Sequence, residues 1–299
     1  MNTRDLQYLV ALSDYRHFGK AAEACFVSQP ALSMQIKKLE ETLGVKLLER
    51  SNKSVLLTDI GIAITERARV ILNQIEEMRD FAKLAKDPYS GELKIGIIST
   101  LAPYLLPFII PSLAKEFPKI SFYLIEGQTA SLIEQLKIGK LDAAFLALPV
   151  AETQFTAAPL FKEEFILAAP SAHALAKRKT VELHDLAKQS VLLLEEGHCM
   201  RDQTLALCQK IKATETQNFR ATSLETLRNM VAAGNGVTLM PKLAQQVNEG
   251  VTYIPFTAPK PARSIGLYWR SSTAKKALLE EMATHIKKIF SKQKTVTVL

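Results

Sequence analysis

The chain has 299 residues, of which 47% are hydrophobic and 23% are charged, and its formal net charge is +8. This length allows two or three globular domains, each burying its own core, so a structural disulfide framework is not needed for stability. The first residues lack the pattern of an export signal, and the most apolar run, residues 101–114, is too short to span a bilayer. We therefore expect a cytoplasmic protein without membrane contacts.

The positive charge does not by itself identify a nucleic-acid-binding region. Residues 1–57 contain eight Lys or Arg against six Asp or Glu, a surplus of two. Much of the remaining excess lies in late basic runs, at residues 177–179 and 287–294. Because basic side chains gain affinity for any polyanion, DNA binding has to be inferred from a motif.

The first sixty residues predict a helix-turn-helix. Asn2 or Thr3 is placed to cap a first helix, residues 19–25 form a second, and Ser28 caps a third that ends at Gly44. Apolar residues at helical spacing would pack the third helix on the first two. The alternative is a three-helix bundle that only holds its own domain together.

The third helix and the strands after it carry the predicted DNA contacts. In a helix-turn-helix the N-terminal part of the last helix enters the major groove, where Gln bonds adenine and Ser reaches a base or a phosphate. Two short strands around a turn at residues 51–54 would form a wing against the DNA backbone. The candidate DNA-binding residues are Ser28, Gln29, Pro30, Ser33, Met34, Lys37, Arg50 and Lys53.

A long helix without proline is predicted from Thr58 to Lys86. Apolar residues recur along it at spacings of four and three, which is typical of a helix that packs against a partner helix. The residues of this seam are Ile64, Ala68, Ile71, Ile75, Met78, Ala82 and Ala85. We expect a dimer through this helix, and the alternative is that it packs on its own domain.

Strands and helices alternate after a hinge at residues 87–91, which predicts a parallel sheet covered by helices. Strands are predicted at 92–98, 120–126 and 141–148, with helices at 101–117 and 130–138. Ligands of such sheets lie beyond the carboxyl ends of the strands, where Thr100 and Thr129 are found. Each threonine either caps its helix or helps to bind a small polar ligand.

Later strands predict a second lobe of the same kind. They are expected near residues 161–169, 191–194, 237–241 and 262–270. The chain should cross between the two lobes near Glu163 and return near Trp269.

Two of the three cysteines lie nine residues apart in the segment EEGHCMRDQTLALCQ. If the segment is helical from Cys199, the thiols of Cys199 and Cys208 point to opposite faces about 13 Å apart along the axis. A disulfide needs Cα atoms within about 7 Å, so either the pair never joins or joining it unwinds the segment. A helix N-terminus, His198 beside it and Arg201 nearby all favour the thiolate of Cys199.

Two interpretations of these thiols remain open. Cys199 could react with peroxide to a sulfenic acid that Cys208 then condenses with, or both could be small buried hydrophobic residues. The spacing matches no usual zinc site, so we expect no metal. Cys25 is expected to contribute only packing.

Several segments resemble one family of regulators. Residues 6–50 are similar to the winged helix-turn-helix of LysR-type transcriptional regulators. GHCMRDQ at 197–203, APYLLP at 102–107 and FRATSLETLRNMVAAGNGVTLMP at 219–241 resemble the peroxide-sensing members of that family. The chain departs from them at Asn218, where a histidine is expected, and at Met34, where a glycine is common.

The resemblance implies a cytoplasmic homotetramer, built as a dimer of dimers, that binds promoter double-stranded DNA and acts on RNA polymerase. A reversible Cys199–Cys208 disulfide would switch on oxidative-stress defence genes, with Cys199 as the peroxidatic and Cys208 as the resolving thiol. Hydrogen peroxide would be the signal, and a thiol reductant such as glutaredoxin or thioredoxin would reset the switch. The implied peroxide pocket comprises Thr100, Thr129, His198 and Arg270. No cofactor is implied.

The expected fold is α/β. A winged helix-turn-helix domain rich in α-helix spans residues 1–58, a long linker helix 59–87, and a two-lobed regulatory domain like that of periplasmic binding proteins 88–299. Lobe I would cover 92–162 and 270–299, and lobe II 163–269.

Two further functions fit parts of this pattern. The first is a LysR-type regulator that responds to a small organic effector bound between the two regulatory lobes, with the cysteines incidental. The second is a thiol peroxidase, although the helix-turn-helix and the linker helix would then have no purpose. We expect a regulator and not an enzyme.

Overall fold

A computed structural model describes residues 1–50, 55–84, 87–210, 214–246, 249–293 and 295–299. The chain divides into two compact units, one of Met1–Lys86 with Ile138–Lys140 and one of Asp87–Lys137 with Leu141–Leu299. Among the helices in these ranges, none has the length and apolar character needed to cross a bilayer. The elements of the first unit are α1 (Thr3–Tyr15), α2 (Phe18–Ala24), α3 (Gln29–Leu43), β1 (Leu48–Arg50), β2 (Val55–Leu57) and α4 (Asp59–Leu84).

The first unit begins with the predicted helix-turn-helix. Asn2 and Asp5 exchange side-chain to backbone hydrogen bonds in a capping box that starts α1. Ser28 caps α3, and Gly44 ends it with a left-handed φ of 69°. The three helices share one core, whose fully buried residues include Leu9, Leu32 and Ile36. The strands β1 and β2 pair antiparallel, as expected for a wing, and the predicted turn at 51–54 lies outside the described residues.

The apolar seam of the linker helix α4 is partly buried and partly exposed. Ala68 is buried and Ile64 packs on the core of the helix-turn-helix, so the first part of the seam serves its own domain. Farther along, Ile71 and Met78 are 41% and 73% exposed. Packing of the helix on its own domain is confirmed for the first part of the seam, the dimer stays a prediction, and Ala85 lies outside the described residues.

The second unit has the expected alternation of strands and helices. Its helices are α5 (Ala102–Glu116), α6 (Thr129–Lys137), α7 (Cys199–Lys210), α8 (Leu224–Ala232) and α9 (Lys276–Ser291). Its strands are β3 (Gly91–Ile98), β4 (Ile120–Gly127), β5 (Ala143–Leu148), β6 (Phe155–Pro170), β7 (Ser190–Leu194), β8 (Thr214–Ala221), β9 (Thr238–Pro241), β10 (Val251–Pro255), β11 (Ala262–Arg270) and β12 (Thr297–Val298).

Two long strands join the two lobes of this unit. The main sheet has the order β10-β6-β11-β5-β3-β4, with β12 and β9 also paired to β6. The first part of β6 pairs with β11 in lobe I, and its last part pairs with β9 and β10 in lobe II. In lobe II, β7 and β8 form a separate parallel pair. The 16-residue strand β6 therefore runs from one lobe into the other.

The return crossing differs from the predicted one. Glu163 of β6 lies opposite Arg263 of β11, and both the outward and the return crossing occur here. Trp269 and Arg270 lie well inside lobe I, where Trp269 pairs with Ala143 of β5. The boundary expected near Trp269 was therefore too late, because one uninterrupted strand carries no local signal of where its neighbours change.

Each lobe has its own hydrophobic core. The core of lobe I gathers buried residues of β3, β5, α5 and α9, including Ile95, Phe145 and Trp269. The core of lobe II gathers those of β6, β7, β9 and α8, including Leu192 and Leu239. Tyr104 belongs to α5, a helix of lobe I, but its side chain packs into the core of lobe II.

Candidate functional site

The two cysteines of interest lie at the ends of one helix and belong to different cores. Cys199 is the first residue of α7, is half-buried and packs against the core of lobe I. Cys208 lies in the last turn of α7 and is 2% exposed within the core of lobe II. Both are thiols in this structure. Nine residues of α-helix separate their Cα atoms by about 13 Å, so a disulfide between them requires α7 to unwind.

The loop before Cys199 contacts two loops of lobe I. The neighbouring strands β3 and β4 end side by side, with Ile98 opposite Gly127. After β3, the Oγ of Ser99 lies 3.2 Å from Nδ1 of His198. After β4, Nε2 of Gln128 donates to the Glu195 carboxylate over 3.4 Å. The carboxyl ends of β3 and β4 therefore face the loop that precedes Cys199.

His198 and Gly197, the two residues before Cys199, hold this loop close to lobe I. His198 is 6% exposed, and its Nε2 lies 3.8 Å from the carboxylate of Glu195. Gly197 has a φ of 93°, and a Cβ built there would come within 2.6 Å of the Gln128 side chain. A side chain at position 197 would meet both a backbone conformation that favours glycine and the end of the Gln128 side chain.

Thr100 is buried, but its hydroxyl already has a partner. Nη1 of Arg263 donates to Oγ1 of Thr100 over 2.9 Å, and Nη2 donates to the carbonyl of Thr100 over 3.1 Å. Nε of Arg263 donates to Glu163 over 2.8 Å, and both side chains are fully buried. The other carboxylate oxygen of Glu163 accepts from the backbone N–H of Leu243 in lobe II.

The pair Arg263–Glu163 was missed by sequence reasoning. A signal existed, because Glu163 had been placed at a lobe crossing and an arginine stands near each end of residues 262–270. Arg270, the one selected, lies at the other end of β11, where its Nη1 donates to the carbonyls of Leu136 and Leu141. The structure does not bring Arg270 to Thr100, because Arg270 lies seven positions along the extended strand from Arg263, which binds Thr100.

Thr129 offers an unused polar group. It is the first residue of α6, directly after Gln128. Its Oγ1 is buried and has no hydrogen-bond partner in the described structure. Buried polar atoms of this kind are normally satisfied by an ordered water or by a small ligand. Thr129 is therefore the predicted pocket residue with an unoccupied bonding position.

The predicted DNA-binding residues lie in the separate first unit. Ser28, Gln29, Pro30, Met34 and Lys37 are exposed at the start of α3, and Ser33 is half-buried. The hydroxyl of Ser28 accepts from the backbone N–H of Ala31 over 3.4 Å. Arg50 ends β1, while Lys53 and the side chain of Asn218 lie outside the described part of the chain.

Comparisons with known proteins agree along the whole chain. The family profile described as bacterial regulatory helix-turn-helix protein, lysR family, matches residues 3–62, and the LysR substrate binding domain matches residues 86–291. The DNA-binding transcriptional dual regulator OxyR of Escherichia coli K12 is 48% identical over 290 residues, which is 96% of this chain and 95% of that protein.

Two solved structures are similar in the same way. A cysteine-to-aspartate variant of full-length OxyR from Pseudomonas aeruginosa is 38% identical, with a TM-score of 0.78 over 96% of this chain and 95% of that one. A cysteine-to-serine mutant of Corynebacterium glutamicum OxyR with hydrogen peroxide bound is 33% identical, with a TM-score of 0.67 over 97% and 93%. The chain belongs to the LysR family of transcriptional regulators and, within it, to the OxyR group.

Proposed function

We propose that this chain is a transcriptional regulator that senses hydrogen peroxide through a reversible Cys199–Cys208 disulfide and activates genes of oxidative-stress defence. The observation that carries the proposal is the placement of the two thiols at opposite ends of α7, with half-buried Cys199 packed against the core of lobe I and Cys208 inside the core of lobe II. Because the helix and the disulfide exclude each other, oxidation has to change the fold of this segment. The curated relatives named as hydrogen peroxide-inducible genes activators support the same function.

The proposed chemistry consumes one peroxide for each disulfide. The thiolate of Cys199 attacks one peroxide oxygen, the O–O bond breaks, and the leaving oxygen takes up a proton as water, which leaves a sulfenic acid. After α7 unwinds, the thiol of Cys208 attacks that sulfur and expels a second water. The two thiols are oxidised and the peroxide is reduced. A dithiol reductant such as glutaredoxin or thioredoxin would return the disulfide to two thiols.

The loops of lobe I supply the proposed peroxide pocket. The unsatisfied Oγ1 of Thr129 is able to bond a peroxide oxygen or the water that precedes it. His198, held by Ser99, would fix the loop that carries Cys199. Thr100 would act through the Arg263–Glu163 pair, since its hydroxyl is already bonded to Arg263. Arg270 is left out of the proposed pocket because it lies at the far end of β11.

The unwinding of α7 on oxidation would alter DNA binding through the arrangement of subunits in the oligomer. The exposed seam residues of α4 fit a dimer, which would present two helix-turn-helix domains to the two halves of a promoter site. A dimer of such dimers, recruitment of RNA polymerase and a location in the cytoplasm belong to the same proposal. The protein is proposed to act once per oxidation and not as a turnover enzyme.

Peptide mapping of the thiols tests the proposal. The reduced full-length protein receives one equivalent of hydrogen peroxide, is alkylated, and is digested for mass spectrometry. We expect a Cys199–Cys208 linkage, unchanged in Cys25→Ser and absent in Cys199→Ser. Alkylated Cys199 and Cys208 after peroxide would contradict the proposal and favour an organic effector. Continued peroxide consumption with added reductant would instead favour a peroxidase.

A further inference from the structure

The turn before the DNA-reading helix holds an aromatic residue in an unusual place. Phe26 has a φ of 55°, and Arg16 is the other non-glycine residue with a positive φ in the described ranges. A left-handed conformation is uncommon for a bulky side chain. The turn is held by hydrogen bonds from the N–H of Phe26 to the carbonyl of Glu23 and from Val27 to Ala22, both of 3.0 Å.

This conformation turns Phe26 outward while its neighbours face the core. Cys25 and Val27 both pack on the core of the helix-turn-helix. The side chain of Phe26, between them, is 96% exposed. A benzyl group that is nearly all in solvent adds little to folding, because it buries almost no apolar surface.

More apolar surface follows on α3. Pro30 and Met34 are four residues apart, so they lie on the same face of the helix, and Met34 is 65% exposed. The adjacent row consists of Gln29, Ser33 and Lys37, which are polar. Pro30 and Met34 therefore form an apolar strip beside a polar row at the start of the reading helix, and the exposed Phe26 lies in the turn just before it.

The major groove offers one apolar group to such a strip. Adenine, guanine and cytosine present donors and acceptors there, whereas thymine also presents its C5-methyl group. We propose that Phe26 and Met34 are specificity-determining residues that select thymine at two positions of each half-site through contact with this methyl group. The inference rests on the proposed DNA binding and assigns its base preference.

Replacing thymine by deoxyuridine provides the test, because it removes only the methyl group. Reduced and peroxide-treated full-length protein are used to select duplexes from a random-sequence library. Each thymine of the selected duplex is then replaced in turn, and affinities are measured by fluorescence anisotropy. Loss of a buried methyl contact should weaken wild-type binding by about fourfold at each contacted thymine.

Alanine variants of Phe26 and Met34 show which of the two residues contacts which thymine. Phe26→Ala should bind the thymine and deoxyuridine duplexes equally at one position, and Met34→Ala should do so at the other. Tyr15→Ala, which changes another exposed aromatic residue of the same domain, should keep the full wild-type pattern. Lys37→Ala should weaken binding to all duplexes by a similar factor, since a phosphate contact carries no base preference.

The outcomes separate this inference from the function on which it rests. If no duplex is enriched by either redox form, DNA binding itself is wrong and the inference falls with it. If a duplex is enriched but deoxyuridine costs nothing, or costs the same in wild type and in both variants, the protein binds DNA and the inference alone is overturned.

Discussion

Glu163 and Arg263 face each other where β6 and β11 pass between the lobes, and their side chains form a fully buried ion pair 2.8 Å long. The same arginine binds Thr100 in lobe I, and the same glutamate binds the backbone of Leu243 in lobe II. All three contacts satisfy charged or polar groups that are out of reach of water. The pair therefore ties the loop after β3 to the middle of β6 and to lobe II.

Glu163→Gln should strongly destabilise the regulatory unit. Arg263 would remain buried without a charge partner, which costs about 3–5 kcal/mol of the free energy of unfolding. The free energy of unfolding is measured by urea unfolding, followed through the fluorescence of Trp269, the single tryptophan of the chain. Glu164→Gln is the matched control, because Glu164 and its partner Lys260 are partly exposed and their pair contributes less than about 1 kcal/mol. Equal losses in the two variants would contradict this role of Glu163.

Gly197→Ala should slow the oxidation of Cys199. The new Cβ would displace the end of the Gln128 side chain, which bonds Glu195 of this loop, and would strain the left-handed backbone beside Cys199, which should lower the rate with peroxide by about tenfold or more. Rapid mixing with peroxide, followed by thiol alkylation, gives the rate. Gly234→Ala is the control for backbone strain, since its φ is 83° and its Cβ would meet nothing within 4 Å. A similar slowing in both variants would mean that strain alone is responsible.

Tyr104 should make stability fall at high pH. Burial, with the Glu225 carboxylate as a smaller cause, raises the pKa of Tyr104 to about 12. The unfolded chain loses this proton near pH 10 and the folded chain near pH 12, so the stabilisation is complete below pH 10 and is lost between these values. The loss should be about 2 kcal/mol.

Urea unfolding at pH 9 and pH 11.5, for wild type and Tyr104→Phe, isolates this effect. The variant loses the 3.0 Å hydrogen bond to Glu225 at both pH values, so it should be less stable than wild type at pH 9. Its deficit should shrink at pH 11.5. A deficit that stays constant would show that Tyr104 does not keep its proton in the folded state.

Charges in the seam of α4 should separate the proposed dimer. Ile71→Glu with Met78→Glu places carboxylates where two exposed apolar side chains would be buried by a partner helix. The dissociation constant of the dimer should rise by about 100-fold, measured by sedimentation velocity. Val70→Glu changes a residue of similar exposure outside the seam and should leave the dimer intact. Unchanged association of the double variant would place the dimer contact elsewhere.

Local features of this chain were readable from sequence. The caps of α3, Ser28 and Gly44, lie as predicted, because capping depends on residues within one turn of the helix end. A helix from Cys199, which the spacing of apolar residues allows, is confirmed as α7. The positions of Thr100 and Thr129 after parallel strands followed from the alternation of strands and helices. These inferences need only the order of residues along the chain.

Contacts between distant residues were decided by the tertiary structure. Periodicity marked Ala262–Arg270 as one strand, but which of its two arginines meets Thr100 depends on where β6 and β11 pass between the lobes. The sequence by itself determined that a helix and a disulfide cannot coexist between Cys199 and Cys208. Only the packing of the two lobes decided that Cys199 packs against one core and Cys208 lies in the other, because each core gathers residues from separate parts of the chain.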